Sequence, residues 1–108
     1  MAIEAIPPEI YEALLSAIDE QMRERSAVSP DNILPLVNCI VPSPMAYRAY
    51  LASLSARERR KAASAAPASS IVFSGRVYIA EHALRQGEQA GRYELVSDGR
   101  YRLAASES

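Results

Sequence analysis

The sequence is poor in the side chains that enzymes most often use for chemistry. Its 108 residues include one histidine, His82, one cysteine, Cys39, and no tryptophan. A catalytic triad needs a nucleophile, a base and an orienting acid, and His82 is the only candidate for the usual histidine base. Cys39 lies in an apolar run bounded by Pro35 and Pro42, which predicts a buried, inert thiol rather than a nucleophile paired with His82. We therefore predict no catalytic residues and a protein that is not an enzyme.

Sequence patterns for small ligands are also missing. The four glycines are scattered and form neither a phosphate-binding loop nor a dinucleotide fingerprint. One cysteine provides neither an internal disulfide nor a pair of metal ligands. The acids Asp19, Glu20 and Glu24 fit the solvated face of a helix better than a cation site. The sequence thus predicts no cofactor and no metal site.

No feature of the sequence points to a membrane. No stretch approaches the ~18 apolar residues that a membrane span requires, and the segment Met1–Glu4 lacks the basic and apolar parts of a signal peptide. The composition, 49% hydrophobic and 23% charged, is typical of a globular chain, and 108 residues suit a single domain over residues 1–108. We expect a cytoplasmic protein with no membrane partner.

Hydrophobic periodicity predicts a first helix. It begins at Pro7 and Pro8, because proline suits the first helical turn, and it ends near Arg25 or Ser26. Its apolar stripe consists of residues at helical spacing: Ile10, Tyr11, Leu14, Leu15, Ile18 and Met22.

The turn residues Ser29–Asn32 precede a second predicted helix. We place it from Ile33 to Val41 with Asn32 as its N-cap, because Pro35 then lies in the first turn, where a missing N–H costs little. A start at Pro30 would put Pro35 deeper in the helix, at a cost of up to ~3 kcal/mol. The segment is apolar on nearly every face, so it either occupies the middle of the core or forms part of a partner surface.

A third helix is predicted after Pro42, with Ser43 as its cap. Its apolar stripe consists of Tyr47, Tyr50, Leu51 and Leu54. The segment Ser55–Glu58 matches a capping box, which indicates a new, fourth helix. One continuous helix to about Ala66 is the alternative. Residues 62–70, rich in alanine and serine, are predicted to be a helix end and a linker.

Residues 70–104 are predicted to be the β-rich part, after a helical part at residues 7–66. Ile71–Phe73 and Val77–Ile79 are β-branched and aromatic and flank Ser74-Gly75, which predicts two strands joined by a tight turn. A short helix over residues 80–86 would then end at Gly87. A helix from Val77 to Gln86 competes with the second strand, since the apolar run is too short for periodicity to separate them.

The turn signal Asp98-Gly99 predicts a terminal β-hairpin. A two-residue loop would mix polar and apolar side chains on each face, whereas a three-residue loop with Gly99 in the left-handed conformation keeps both faces consistent. The pairs of that register are Leu95–Tyr101, Glu94–Arg102 and Tyr93–Leu103. The predicted fold class is α+β: three or four N-terminal helices followed by a small antiparallel sheet ending in this hairpin. Residues 105–108 are expected to be a frayed tail.

Charge is distributed unevenly, although the net charge is only −1. Residues 1–25 contain six acids and two arginines, a net charge of −4, whereas residues 44–61 contain five bases and one acid, a net charge of +4. Either the two segments neutralise each other within the fold, or the molecule is dipolar. A dipolar molecule suits charged partners or head-to-tail self-association.

Two sets of basic residues are the candidate partner-binding sites. The first is the cluster Arg57, Arg59, Arg60 and Lys61, and the second is the hairpin pair Arg100 and Arg102. A basic helix followed by a terminal hairpin with arginines resembles a winged helix with its wing, and this resemblance implies contacts to DNA phosphates. The resemblance covers residues 92–104 only, and the basic cluster lies about thirty residues before the hairpin.

The sequence as a whole favours a non-enzymatic, small protein-binding or assembly module. Its partner would be another protein or a second copy of the chain, since six tyrosines, a residue type favoured at protein interfaces, accompany the uneven charge. Eleven arginines against one lysine, with abundant alanine, indicate a high-GC bacterium or phage, so an inhibitor of a host protein or a virion component fits. The alternative is a winged-helix-like DNA-binding regulator, with nucleic acid as its partner. An accessory subunit of a multi-chain enzyme is third.

Overall fold

The computed structural model describes residues 5–65, 67–96 and 98–104. Within these ranges the elements are, in order, α1 (Pro8–Arg25), α2 (Pro30–Ile40), α3 (Ser43–Ala52), α4 (Ala56–Ala65), α5 (Ala68–Gln89), β1 (Tyr93–Leu95) and β2 (Tyr101–Leu103). The predicted α+β order, helices followed by an antiparallel hairpin, is confirmed, but the described helices number five rather than three or four. The tail predicted at residues 105–108 lies outside the described residues, and the single domain stays a prediction.

The first helix follows its prediction closely. α1 begins at Pro8 and ends at Arg25, with Glu9 in its first turn and arginines in its last, an order that favours the helix dipole. Its buried residues are Tyr11, Leu14, Leu15, Ile18 and Met22. This stripe packs against α2 and β2, so α1 forms one side of the core.

The second helix begins earlier than predicted. α2 starts at Pro30, and its N-cap is Ser29 rather than Asn32. The Ser29 N–H donates to Asn32 Oδ1 (3.0 Å) and the Asn32 N–H donates to Ser29 Oγ (3.4 Å), which forms a reciprocal capping box. Pro35 therefore lies inside the helix, contrary to the prediction. The cap and Pro30 in the first turn stabilise the early start and offset the hydrogen bond that Pro35 cannot make.

The buried side of α2 also corrects the prediction for Cys39. Ile33 and Val37, one turn apart, are the buried residues of α2. Cys39 lies two positions beyond Val37, on the opposite side of the helix, and its side chain is exposed. The prediction of a buried thiol is therefore wrong, because the apolar character of the run does not specify which face enters the core.

A break separates the third and fourth helices, so the alternative of one continuous helix is wrong. Pro42 precedes the first helical residue of α3, and Ser43 lies inside the first turn rather than serving as the predicted cap. The Glu58 N–H donates to Ser55 Oγ and the Ser55 N–H donates to Glu58 Oε1, both at 3.2 Å. This confirms the predicted capping box, which starts α4.

The fifth helix replaces the predicted strands. Ile71–Phe73 and Val77–Ile79 lie in one helix. The prediction that residues 70–104 are β-rich is therefore wrong for the part that precedes β1. The buried residues recur at helical spacing: Ile71, Gly75, Ile79, Ala80, Ala83, Leu84 and Gly87. Burial of this stripe against α2 and α3 overrides the β-propensity of the isolated runs.

The end of α5 lies beyond the predicted Gly87. Gly91, with a φ of +82°, adopts the left-handed conformation after the last turn. The Arg92 N–H donates to the Gly87 carbonyl (2.8 Å) and the Gly91 N–H to the Glu88 carbonyl (3.1 Å), which is the Schellman pattern. Gly87 instead leaves room for the ring of Tyr93, because a Cβ on Gly87 would lie 2.2 Å from that ring.

The hairpin has the predicted register. Tyr93 pairs with Leu103, Glu94 with Arg102 and Leu95 with Tyr101, and Gly99 has a φ of +82°. The opposite edge of β2 also pairs: Val28, between α1 and α2, donates to the Tyr101 carbonyl (2.8 Å) and accepts from the Tyr101 N–H (2.7 Å). Val28 is fully buried. The hairpin is thereby fixed to the α1–α2 connection.

The helices α3 and α5 approach each other closely at Gly75. A Cβ built on Gly75 would lie 2.1 Å from the carbonyl oxygen of Ala46 in α3. Both residues are buried, and the obstructing atom belongs to the main chain, so a side-chain rotation cannot relieve the overlap. The packing of α3 on α5 therefore requires glycine at this position.

We expect Gly75→Ala to lower the free energy of unfolding by about 3 kcal/mol or more, because α3 and α5 must move apart. Urea denaturation followed by circular dichroism measures this loss. Ser74→Ala, at the preceding position of the same helix, is the control and should change stability by less than about 1 kcal/mol. Equal stability of the two variants would show that the close approach is not required.

Candidate binding surfaces

The predicted basic cluster lies on α4. The structure describes every residue of this helix, and none of them is buried. One of its bases is engaged within the chain: Arg59 donates from Nε to the Leu51 carbonyl (2.9 Å) and from Nη2 to the Leu54 carbonyl (3.1 Å). Leu51 lies in the last turn of α3 and Leu54 lies two residues beyond its end, so Arg59 satisfies acceptors at a helix C-terminus. Its role in the structure is to hold α4 against α3.

The other three bases of α4 are available for contacts. Arg57, Arg60 and Lys61 are exposed, and none of the ion pairs found among the described residues includes them. Arg57 and Lys61 are one turn apart and form a single row along α4. The structure thus leaves a positively charged row on this helix.

The predicted hairpin bases are paired with neighbouring acids. Arg100 contacts Asp98 (2.8 Å), and Arg102 contacts Glu94 across the strands (3.0 Å). Arg100 holds the pKa of the Asp98 carboxyl below its usual value by hydrogen bonding. These ion pairs are exposed, and the acids cancel much of the charge that Arg100 and Arg102 would offer to a phosphate.

The structure separates the two predicted basic sets. α4 packs on α3, whereas the hairpin packs on α1 and α5. The 22 residues of α5 lie between the end of α4 and the start of β1, a length of about 33 Å. The described residues therefore do not combine Arg57, Arg60 and Lys61 with Arg100 and Arg102 in one continuous surface.

An apolar groove between α3 and α5 was not predicted from the sequence. Its volume is about 410 Å³, and its lining residues are Tyr50, Phe73, Ser74, Val77, Tyr78 and Glu81. Phe73 exposes 61% of its surface. The helical spacing of Ile71, Gly75 and Ile79 was the available signal, because it places Phe73 off the buried stripe.

A second groove shares the lining residue Tyr50 with the first. It lies between α3 and α4, has a volume of about 350 Å³, and is lined by Tyr50, Leu54, Glu58, Lys61, Ala62 and Ala65. We call the two grooves together the aromatic trough. The row formed by Arg57 and Lys61 borders it on α4, so the trough joins an apolar floor to a basic wall.

A polar network lies at the opposite end of α5. Asp19 of α1 accepts hydrogen bonds from Arg92 Nε (3.2 Å) and Nη2 (2.5 Å) and from the Tyr93 hydroxyl (2.9 Å). Asp19 is largely buried, with 14% of its side chain exposed, while Arg92 exposes 39%. The network connects α1 to β1. Both carboxylate oxygens of Asp19 are therefore engaged within the chain.

The network changes the ionisation of Tyr93. Burial raises the pKa of the Tyr93 hydroxyl well above its ordinary value of 10.0, and the hydrogen bond to Asp19 raises it further. Burial also raises the pKa of Tyr11, with a smaller contribution from Glu12. Both hydroxyls therefore keep their protons in the folded chain at a pH where an unfolded chain begins to lose them.

The two residues considered for covalent chemistry occupy different settings. His82 lies on α5, is half-buried, and its ring centre is 5.7 Å from that of Tyr78. Cys39 lies on α2 with an exposed side chain. Among the described residues, no group of three or more His, Cys, Asp or Glu side chains is arranged to hold a metal ion.

Comparisons with known proteins do not extend this description. A scan against protein-family models, a search of curated proteins and a search of solved structures each gave no match. None of the helices in the described ranges is long and apolar enough to cross a membrane. Any function is therefore inferred from the surfaces of this chain.

We expect Asp19→Asn to lower the free energy of unfolding by about 1–3 kcal/mol, because charge-assisted hydrogen bonds to Arg92 and Tyr93 are weakened or lost. Glu20→Gln, an exposed neighbour that undergoes the same change of charge, is the control. Chemical denaturation of both variants measures the difference. If Glu20→Gln lowers the free energy of unfolding by the same amount, the change in net charge, and not the loss of the network, causes the destabilisation.

Alkaline conditions should destabilise the fold. The raised pKa of Tyr93 and Tyr11 means that only the unfolded chain releases these protons just above about pH 10. Their contribution is constant below that pH, and the free energy of unfolding should fall as the pH rises through it. Denaturation curves recorded from about pH 8 to 11 test this, and Tyr93→Phe should flatten the fall. An unchanged slope in this variant would contradict the assignment to Tyr93.

Proposed function

We propose that this chain is a small protein-binding module that contacts its partner through the aromatic trough. The observation that carries the proposal is the exposure of Phe73, the only phenylalanine in the sequence, beside Tyr50, Val77 and Tyr78. The inhibitor, virion-component and self-assembling modules considered above are all versions of this proposal.

The environment of Phe73 favours the binding of a partner. Burying apolar surface contributes roughly 25 cal/mol per Å², and aromatic side chains in the centre of an apolar surface are common binding hot spots. Only two large hydrophobic side chains of the described residues are exposed, Phe73 and Leu95. Leu95 lies on the hairpin, whereas Phe73 lies in a groove with aromatic neighbours, which makes the trough the stronger candidate.

The charges support protein binding over the DNA-binding alternative. The helix that precedes the hairpin, α5, balances Arg76 and Arg85 against Glu81 and Glu88. Both hairpin bases of the proposed wing are paired with acids. Binding of duplex DNA depends on several uncompensated Lys and Arg residues on one face. The row on α4 is the basic surface that remains, and it borders an apolar groove.

We expect Phe73→Ser to weaken binding of the natural partner at least tenfold, because it removes the aromatic anchor without altering buried residues. The tagged chain is used to capture proteins from a lysate of the organism that encodes it. The captured protein is identified and purified, and its affinity for the wild-type chain and for Phe73→Ser is measured by calorimetry.

Leu95→Ser is the matched control for this experiment, since among the described residues it replaces the other exposed large hydrophobic side chain and should keep the affinity. If Leu95→Ser and Phe73→Ser have equal effects, the trough is not the contact surface. A different result would favour the DNA-binding regulator: the chain retains duplex DNA on a gel at low salt, the retention falls steeply as the salt concentration rises, and Arg57→Glu abolishes it. Catalysis that appears only on mixing with the captured protein would favour an accessory subunit.

A further inference from the structure

We propose that the aromatic trough binds an acidic amphipathic helix of a partner protein. This inference rests on the proposed function and specifies the chemistry of its partner. Three features of the trough lead to it: walls formed by α4 and α5, an exposed phenylalanine on the α5 wall, and a basic border on the α4 side.

The shape of the trough suits a helix. Its α4 wall is formed by residues at helical spacing, Glu58, Lys61, Ala62 and Ala65. Its α5 wall is formed in the same way by Phe73, Val77 and Glu81. Each wall is about two turns long, or roughly 10–12 Å. Small alanines on one wall and a projecting aromatic ring on the other allow a third helix to lie between them, as in recognition of a helix by a groove.

The charge of the trough selects the polar face of that helix. Arg57 and Lys61 border the α4 side, with Arg60 beyond them, and all three are exposed. Glu58, the acid on this wall, accepts hydrogen bonds from the Ser55 N–H and Oγ and keeps its charge, so three bases stand against one acid. The α4 border therefore has an excess of positive charge, and the flank of the bound helix that faces it should be acidic.

No acid of the described residues forms an ion pair with these bases. Among the described residues, the three ion pairs are Arg92–Asp19, Arg100–Asp98 and Arg102–Glu94, and none involves α4. The acidic helix α1 packs against α2 and β2, and none of these ion pairs joins it to α4. An acidic flank on a bound helix would supply the exposed bases of α4 with the counter-charge that these ion pairs do not.

Selection from a displayed library of helical peptides tests the inference. The peptides are about four turns long, with randomised surface positions, and are selected on the immobilised full chain with counter-selection on Phe73→Ser. We expect enriched peptides to have apolar residues at positions i, i+3 or i+4, and i+7, and a net negative charge. The best peptide is then synthesised for measurement by fluorescence anisotropy.

The affinity of that peptide should fall at least tenfold for Phe73→Ser and for the double variant Arg57→Glu/Lys61→Glu. The control, Arg23→Glu/Arg25→Glu, makes the same change of charge on α1 and should bind as the wild type does. Replacing each glutamate of the peptide with lysine should restore its binding to the Arg57→Glu/Lys61→Glu variant. The same replacement should weaken its binding to the wild type. Circular dichroism of each variant verifies that it is folded.

Enrichment of neutral or basic peptides, or no enrichment over Phe73→Ser, would overturn the inference. So would a molar mass that doubles with concentration in light scattering and returns to the monomer value in Phe73→Ser, because the occupant would then be a second copy. The proposed function itself fails if the natural partner binds Phe73→Ser as tightly as it binds the wild type. A partner that needs Phe73 but binds through a segment that is not an acidic helix would refute this inference alone.

Discussion

The contact between α3 and α5 at Gly75 is the constraint on which the other elements depend. Because Gly75 has no side chain, the main chains of the two helices approach each other directly at Ala46. This approach holds the middle of the 22-residue α5 in the core, where it also packs against α2 and, near its end, against β1. α5 thereby connects the aromatic trough, beside its first half, with the Asp19 network, just beyond its last residue.

The elements that could be predicted from the sequence are those with local signals. The apolar stripe of α1, the capping box at Ser55 and the turn glycine Gly99 each involve residues within a few positions of one another, and the structure has them as predicted. The hairpin register follows from local alternation as well. No knowledge of distant partners is needed for any of these features.

The features that could not be predicted depend on contacts between distant segments. The run around Phe73 has the composition of a strand, and only packing against α2 and α3 makes it helical. The same limit applies to Cys39, whose exposure depends on which side of α2 meets the core. For the candidate surface, the exposed bases of α4 were predictable from composition, whereas the trough beside them exists only because α3, α4 and α5 come together.

The pairing of Val28 with Tyr101 has a consequence for how the chain acquires its structure during synthesis. Val28 and Asp19 lie in the first third of the sequence, yet their partners Tyr101 and Arg92 are both 73 positions later. A ribosome delivers the early segments first, and contacts of such long range form slowly because a large loop must close. α1 therefore emerges with its apolar stripe uncovered by β2 and stays so until the hairpin leaves the exit tunnel.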